Sequence, residues 1–277
     1  MEKPRPSIHR KRAQLLALCG LLGSFWVFPP TQIHAAIHLS DAEALPIGKK
    51  IWQNECHGTI AGLTSWNEGE NFASLGIGHF IWYPEGVRGP FEESFPKFLS
   101  FARDHRANFP SWLQAARACP WNSRTEFLRA KDSATMKELR QFLASNVDLQ
   151  AHFMVARLQN ALAKMLEEAA PANRANVQQQ FDRVASTSSG CYALVDYVNF
   201  KGEGVLRTER YRDQGWGLLQ VLEGMHGGGN GSSAAQEFSR SAATILTRRV
   251  QNSPPERKES RWLPGWLNRV NSYAGNS

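Results

Sequence analysis

Cysteine is scarce in this chain, and its arrangement argues against the common metal sites. Only four of the 277 residues are cysteines. None forms a Cys-x-x-Cys pair, and no histidine stands near them at zinc-ligand spacing, so no metal is predicted. In an oxidising compartment, two of Cys56, Cys119 and Cys191 are expected to form a disulfide, although spacing does not say which two. A catalytic cysteine would need a histidine that only the fold could bring close.

The sequence also lacks the patterns that predict binding to nucleic acids, phosphate groups or membranes. The basic residues form no stripe with interleaved aromatics, so nucleic-acid binding is not predicted. The segment HGGGNGSS, residues 226–233, lacks the spacing and the preceding strand of a phosphate loop, and it predicts a flexible surface loop. After residue 36 no segment is apolar enough to span a membrane. No internal repeat is present. We expect a monomer with no integral membrane span after removal of the first 36 residues.

The first 36 residues have the pattern of a signal peptide. Five Lys or Arg residues precede an apolar stretch at 15–28, and small residues follow at Ala35-Ala36. The alternative, a membrane anchor, needs about 20 apolar residues, and this run is shorter. We therefore predict an exported protein, periplasmic or secreted, with a single domain over residues 37–277. Loss of five basic residues and one acid lowers the net charge from +7 to +3, which suits weak attraction to an anionic cell-wall polymer.

Most of the remaining chain predicts helix. Residues 123–126, 135–138 and 233–236 each place a hydroxyl side chain three positions before Glu or Gln, the capping-box pattern of a helix start. Residues 147–169 carry apolar side chains with a period near 3.6. A further helix is predicted over 47–56, ending near the glycine that follows His57. The predicted fold class is mainly α, with a small β part (α+β).

The β part follows residue 62. The segments GLTSW (62–66) and FASLGIGHFIWY (72–83) are separated by the turn NEGEN, and this pattern predicts a β-hairpin. Glu55 ends the helix just before it. The helix dipole opposes a negative charge there, and apolar neighbours would exclude water, so both favour a neutral acid. Glu68 and Glu70 on the turn are expected to stay ionised. Two carboxylates in different environments are typical of an acid/base pair that cleaves a glycosidic bond.

These residues resemble the phage-type lysozymes of glycoside hydrolase family 24, in the lysozyme-like superfamily, over residues 51–83. In that family a catalytic Glu closes a helix, and a hairpin with an Asp and a Thr leads into Gly-Ile-Gly-His. Glu55 matches the Glu, residues 76–79 match the motif, and Glu68 and Ser74 match the Asp and the Thr. The interval from Glu55 to Gly76 is longer than in the family, so Glu70 or Thr64 could replace Glu68. The transglycosylase and chitosanase branches are similar too.

The resemblance implies a lysozyme-like helical domain that cleaves a β-1,4-linked amino-sugar polymer, in the first place peptidoglycan, as a muramidase or a lytic transglycosylase. Glu55 would be the general acid and Glu68 the second carboxylate, and such chemistry needs no metal or organic cofactor. A glycine-rich polar segment at 197–225 is expected to form the opposing wall of the cleft. The rival hypothesis is a catalytically inactive periplasmic protein that binds glycan or acts as a cell-wall scaffold. The candidate substrate-binding residues are Thr64, Trp66, Glu70, Ser74, His79, Asn199, Glu203 and Gln214.

Overall fold

The computed structural model describes residue 37 and residues 39–275, which belong to one compact unit. The predicted signal peptide at residues 1–36 lies outside the described residues. The described chain is mainly helical with small antiparallel sheets, so the predicted α+β class is confirmed. None of its helices combines the length and the apolar character needed to cross a membrane.

Eleven α-helices, three short 3-10 helices and five short strands make up the regular structure of the described residues. The helices are α1 (Asp41–Cys56), α2 (Phe95–Asp104), α3 (Ser111–Ala115), α4 (Arg124–Arg129), α5 (Ala134–Ser145), α6 (Val147–Glu168), α7 (Arg174–Ala185), α8 (Ser188–Lys201), α9 (Leu218–Glu223), α10 (Ser232–Asn252) and α11 (Leu263–Asn271). The strands are β1 (Thr64–Ser65), β2 (Ala73–Leu75), β3 (Phe80–Trp82), β4 (Arg210–Tyr211) and β5 (Gln214–Gly215).

The long helix α6 forms the centre of the core. It packs against α1, α2 and α8, and its buried side chains recur at helical spacing, as at Ala151, Val155, Leu158 and Leu162. Burying one such Val or Leu side chain stabilises the fold by about 1.5–3 kcal/mol. The apolar period therefore predicted this helix correctly, and α6 ends one residue before the predicted limit.

Side-chain hydrogen bonds cap two of the three helices whose starts the capping-box pattern predicted. Ser123 caps α4 as predicted, because its hydroxyl accepts a hydrogen bond from the Glu126 amide at 3.2 Å. The helix expected at Thr135 starts at Ala134 instead, since the hydroxyl of Ser133 accepts from the Met136 amide at 3.2 Å. The third starts at Ser232 after Gly231, with no side-chain cap. The pattern thus located all three helices and the exact cap of one.

Helix α1 starts earlier than predicted. The backbone amide and the hydroxyl of Ser40 donate to the Glu43 carboxylate at 3.0 and 2.6 Å, which forms the N-terminal cap. At the other end His57 is left-handed with φ 53°, and the Gly58 amide donates to the Trp52 carbonyl at 3.2 Å. Glu55 therefore lies in the last turn of α1, as the sequence predicted.

The predicted hairpin is part of a three-stranded antiparallel sheet, with the order β1-β2-β3. Thr64 pairs with Leu75, and Leu75 pairs in turn with Phe80. Residues 72–83 were predicted as one extended segment, but the chain reverses at 76–79. It reverses there because Gly76 and His79 both adopt left-handed conformations, with φ 72° and 47°.

The expected disulfide is absent. Cys56, Cys119 and Cys191 are all buried free thiols. Cys191 donates to the Ala185 carbonyl at 3.2 Å, and Cys56 donates to the Gly76 carbonyl at 3.7 Å. These two hydrogen bonds join the thiols to backbone carbonyls and not to each other.

Candidate functional site

A network of charged and polar side chains surrounds Glu55. Its side chain is only 14% exposed, and its carboxylate forms an ion pair with Arg269 on α11. The same guanidinium donates to both carboxylate oxygens of Asp196 on α8, at 2.8 Å each. Arg269 therefore joins the end of α1 to α8 and α11.

Asp196 is the buried centre of this network. It is 0% exposed, and it also accepts hydrogen bonds from the Tyr273 hydroxyl at 2.6 Å and from the Asn54 amide at 3.3 Å. Burial by itself would lower the pKa of Arg269, but the hydrogen bonds and charge of Asp196, with those of Glu55, raise it. The guanidinium is thus a permanent cation at this site.

The Gly-Ile-Gly-His motif is a turn that packs on α6. The Gln150 side chain is buried; its carbonyl oxygen accepts from the Ile77 amide at 2.9 Å, and its amide donates to the Leu143 carbonyl at 2.7 Å. A Cβ atom on Gly76 would lie 2.2 Å from that carbonyl oxygen of Gln150. The first glycine is therefore required by close packing as well as by its backbone angle.

This turn places His79 beside the end of α1. The Nε2 atom of His79 lies 4.0 Å from the sulfur of Cys56, the neighbour of Glu55. The fold has thus brought a histidine to a cysteine, which a catalytic thiol would require. Yet Cys56 is 1% exposed, and burial, with the charge of Glu55, raises its pKa to about 12. The thiol stays protonated and enclosed at neutral pH, which argues against a nucleophilic role.

His79 also faces a groove of about 240 Å³ between the sheet, α6 and α8. This groove, which we call the His79 groove, is lined by apolar side chains of α6 and α8 and by a smaller set of polar and aromatic groups. These groups are His79, Phe91, Glu92, Arg157, Asn199 and Glu203. The structure therefore brings together three of the predicted binding residues, His79, Asn199 and Glu203, from distant parts of the sequence.

Three other candidates are buried within the sheet or directly after its first strand. Thr64 and Ser74 are paired within it, and the Thr64 hydroxyl accepts from Arg140 at 2.8 Å. The ring of Trp66 is buried against Phe127, and its N–H donates to the Glu70 carbonyl at 2.8 Å. These three side chains hold the hairpin in shape and present little surface to a ligand.

The remaining candidates lie at the surface, on the turn between β1 and β2 and on β5. Glu68 is exposed and forms no hydrogen bond or ion pair with another described residue, whereas the Glu70 carboxylate accepts from the Asn67 amide at 3.1 Å. Gln214 is exposed on β5, outside the residues that line the His79 groove. Glu55, Glu68, Glu70 and Gln214 are not among the residues that line this groove.

The glycines of the 197–225 segment serve backbone packing. A Cβ atom on Gly217 would lie 2.2 Å from the Gly204 nitrogen, and the Leu219 amide donates to the Glu203 carbonyl at 3.0 Å. The Gln220 side chain stabilises the same contact. Its carbonyl oxygen accepts from the Gly217 amide at 3.0 Å, and its amide donates to the Gly204 carbonyl at 3.1 Å. This packing holds Glu203 just beyond the end of α8, and Val198, Asn199 and Glu203 of the segment line the His79 groove.

Sequence reasoning missed Asp196, Arg269 and Arg157. A lone aspartate in the apolar run ALVDYV was a usable signal for Asp196, because a buried carboxylate needs a partner. Nothing local marked Arg269 or Arg157, which stand among other basic residues of ordinary helices.

Among residues 37 and 39–275, no group of three His, Cys, Asp or Glu side chains is arranged to hold a metal ion. In comparisons with protein-family models, curated proteins and solved structures, the chain has no match.

Proposed function

We propose that this protein is an exported glycan-cleaving enzyme with a lysozyme-like fold. Its substrate is a β-1,4-linked amino-sugar polymer, in the first place peptidoglycan, and Glu55 is its general acid. The observation that carries the proposal is the position of Glu55 in the last turn of α1, next to Cys56, whose sulfur lies 4.0 Å from the ring of His79 in the groove lining.

The His79 groove has the chemistry of a sugar site. Asn199 and His79 offer hydrogen bonds to hydroxyl and acetamide groups, and Phe91, which is 57% exposed, offers an aromatic face for a sugar ring. Apolar side chains of α6 and α8 between them supply the remaining contact surface. A few polar groups on an apolar lining are typical of small-molecule and sugar sites.

In this mechanism Glu55 donates a proton to the leaving glycosidic oxygen. The ion pair with Arg269 joins a carboxylate to a cation, so Glu55 must release Arg269 and take up a proton when the glycan binds. Asp196 retains Arg269 during this step through its two hydrogen bonds. The second carboxylate comes from one of two places, Glu68 on the hairpin turn or Glu203 in the groove.

The test is digestion of purified peptidoglycan by the mature protein, with the soluble products resolved by mass. Release of muropeptides by the wild type and by Glu167→Gln, but not by Glu55→Gln, would support the proposal. Glu167 is a suitable control because it is an exposed carboxylate on α6. Reducing ends would identify a hydrolase, and 1,6-anhydro ends a lytic transglycosylase.

The second candidate is a catalytically inactive protein that binds glycan. The ion pair between Glu55 and Arg269 favours this second candidate, because the carboxylate of the proposed proton donor is bound to a permanent cation. Sedimentation with insoluble peptidoglycan separates the two functions. Equal binding by the wild type and Glu55→Gln, without any soluble product from either, would select the binding protein.

A further inference from the structure

A second groove, with a volume of about 790 Å³, lies between the start of α3 and the last turns of α5. We call it the Trp112 groove. Its size falls within the range of about 300–1,000 Å³ that is typical of ligand pockets. None of the residues that line it also lines the His79 groove. It is therefore a separate candidate site, to which the proposed cleavage reaction assigns no role.

The lining combines apolar rings with hydrogen-bonding groups that are mostly uncharged. The rings are those of Phe109, Trp112 and Phe142, and the centroids of the two Phe rings lie 4.8 Å apart. The polar side chains are Asn108, Ser111, Glu138, Gln141, Ser145 and Asn146. No lysine or arginine lines the groove, so the lining does not select a phosphate or a carboxylate. It fits a neutral ligand with apolar faces and with hydroxyl or amide groups.

Several of these polar groups are not used by the fold. Among the described residues, the side chains of Asn108, Ser111 and Glu138 form no hydrogen bond or ion pair, and all three are exposed. The Gln141 amide donates to the Ser145 hydroxyl at 3.1 Å, which leaves the carbonyl oxygen of Gln141 free to accept. The groove therefore presents both donors and acceptors to a ligand.

The indole of Trp112 adds a donor that the fold leaves unsatisfied. Its Nε1 atom is buried and has no hydrogen-bond partner among the described residues, although buried polar groups are normally paired. The side chain as a whole is only partly buried, and its ring meets that of Trp121 edge-on at 6.5 Å between centroids. A rotation of the Trp112 ring toward the groove would give this N–H an oxygen of a bound ligand as its acceptor.

The Trp112 groove adjoins another groove, of about 610 Å³, that is bordered by α2 and α6. Asn146 lines both grooves. Its side-chain amide donates to the Phe142 carbonyl at 2.7 Å, which holds the residue in place. The second groove also contains a stacked pair of rings, Phe101 and His105, with centroids 4.1 Å apart. Two adjoining grooves suit a chain of linked rings better than a single small molecule.

From these observations we infer that the Trp112 groove is a second, non-catalytic binding site for a chain of N-acetylated amino sugars. The apolar faces of sugar rings pack on aromatic side chains, and the hydroxyl and acetamide groups of such a chain match the unused polar groups of the lining. The site holds the protein on its polymer. The choice of polymer rests on the proposed function, but binding in this groove does not depend on cleavage at Glu55.

The test is an NMR titration of ¹⁵N-labelled Glu55→Gln with the tetramer of N-acetylglucosamine. This parent protein lacks the proposed proton donor, so binding is measured without cleavage. The indole N–H signal of Trp112, assigned with Trp112→Phe, should shift until it saturates. Asn199→Ala, a change in the His79 groove, should leave this shift in place.

Addition of Asn108→Ala and Glu138→Ala to the parent should raise the Kd for the tetramer about tenfold or more, because two hydrogen bonds to the sugar are lost. The control is Lys137→Ala, an exposed residue of α5 outside the lining, which should stay within about twofold of the parent. If the double variant does not fold, the two single variants test the same contacts.

Other results overturn the inference. A Trp112 signal that does not move at millimolar tetramer would reject the site, and loss of the shift in Asn199→Ala would place the ligand in the His79 groove. A shift caused by the peptides of peptidoglycan but not by the tetramer would make the ligand a peptide. Digestion of peptidoglycan by the wild type without a shift at Trp112 would reject this inference alone. A saturable shift without digestion would reject the proposed function alone.

Discussion

The carboxylate of Glu55 contacts the guanidinium of Arg269, a residue that follows it by 214 positions. The last helix of the described chain thus completes the site that the first helix begins. Because Arg269 also holds the buried Asp196, the charge at the proposed proton donor and the docking of α11 depend on one side chain.

Replacement of Arg269 by Met is predicted to destabilise the protein strongly. Asp196 is 0% exposed and would keep only Tyr273 and Asn54 as hydrogen-bond donors among the described residues. An uncompensated buried charge costs about 3–5 kcal/mol. Urea unfolding measures the free energy of unfolding directly. Arg261→Met, on the exposed side of the same segment, should stay within about 0.5 kcal/mol of the wild type.

The double variant Arg269→Met with Asp196→Asn provides the internal check. It removes both charges, so it should recover part of the loss. Equal stability of the wild type and Arg269→Met would show that the network contributes no net stabilisation.

Replacement of Gly76 by Ala is predicted to cost more than replacement of Gly69. Both glycines have positive φ, 72° and 82°, but only Gly76 has the Gln150 oxygen 2.2 Å from the new Cβ position, whereas Gly69 has no atom within 4 Å. Backbone strain costs about 1–3 kcal/mol at either site, and the contact with Gln150 adds to it at Gly76. Thermal and urea unfolding of the two variants would compare them. Equal losses would mean that Gln150 adjusts without cost.

The free energy of unfolding is predicted to rise with pH because of Lys201. Burial, with the charge of Arg249 nearby, lowers the pKa of Lys201 to about 7, and the ordinary value is 10.5. The unfolded chain therefore binds this proton more tightly, and the destabilisation it causes is largest below pH 7 and is relieved between pH 7 and 10.5. The ammonium of Lys201 lies 3.3 Å from the ring centroid of Trp266 and 3.9 Å from that of Phe200. These rings favour the charged form, so they reduce the pH range over which stability changes, but stability still rises with pH.

Urea unfolding of the wild type and Lys201→Met at pH 6, 8 and 9.5 tests this dependence. The wild type should gain stability relative to Lys201→Met as the pH increases. Lys137→Met, an exposed lysine on α5, should show a constant difference from the wild type. A constant difference for Lys201→Met as well would contradict the lowered pKa.

The parts of the fold that depend on local interactions could be predicted from the sequence. The apolar period of α6, the cap at Ser123 and the left-handed end of α1 each depend on residues a few positions apart. The third strand was missed because the close approach of Gln150 to Gly76 comes from a residue far along the chain.

The candidate site was only partly predictable for the same reason. A carboxylate at a helix end could be recognised from its neighbours, and so Glu55 could be named. Its partner Arg269 could not, because the pairing depends on how α8 and α11 pack. Trp66 was predicted to bind substrate, but it is buried. An aromatic residue that fills the core and one that stacks on a sugar have the same sequence signal, so the sequence could not separate the two roles.

The most direct measurement is the rate at which the mature wild type and Glu55→Gln release soluble muropeptides from purified peptidoglycan at equal protein concentration. A proton donor contributes about 10²–10⁴-fold to the rate, so we predict measurable release by the wild type and at least a 100-fold slower release by Glu55→Gln. Equal rates for the two folded proteins, or no release by either, would contradict the role of Glu55 as the general acid.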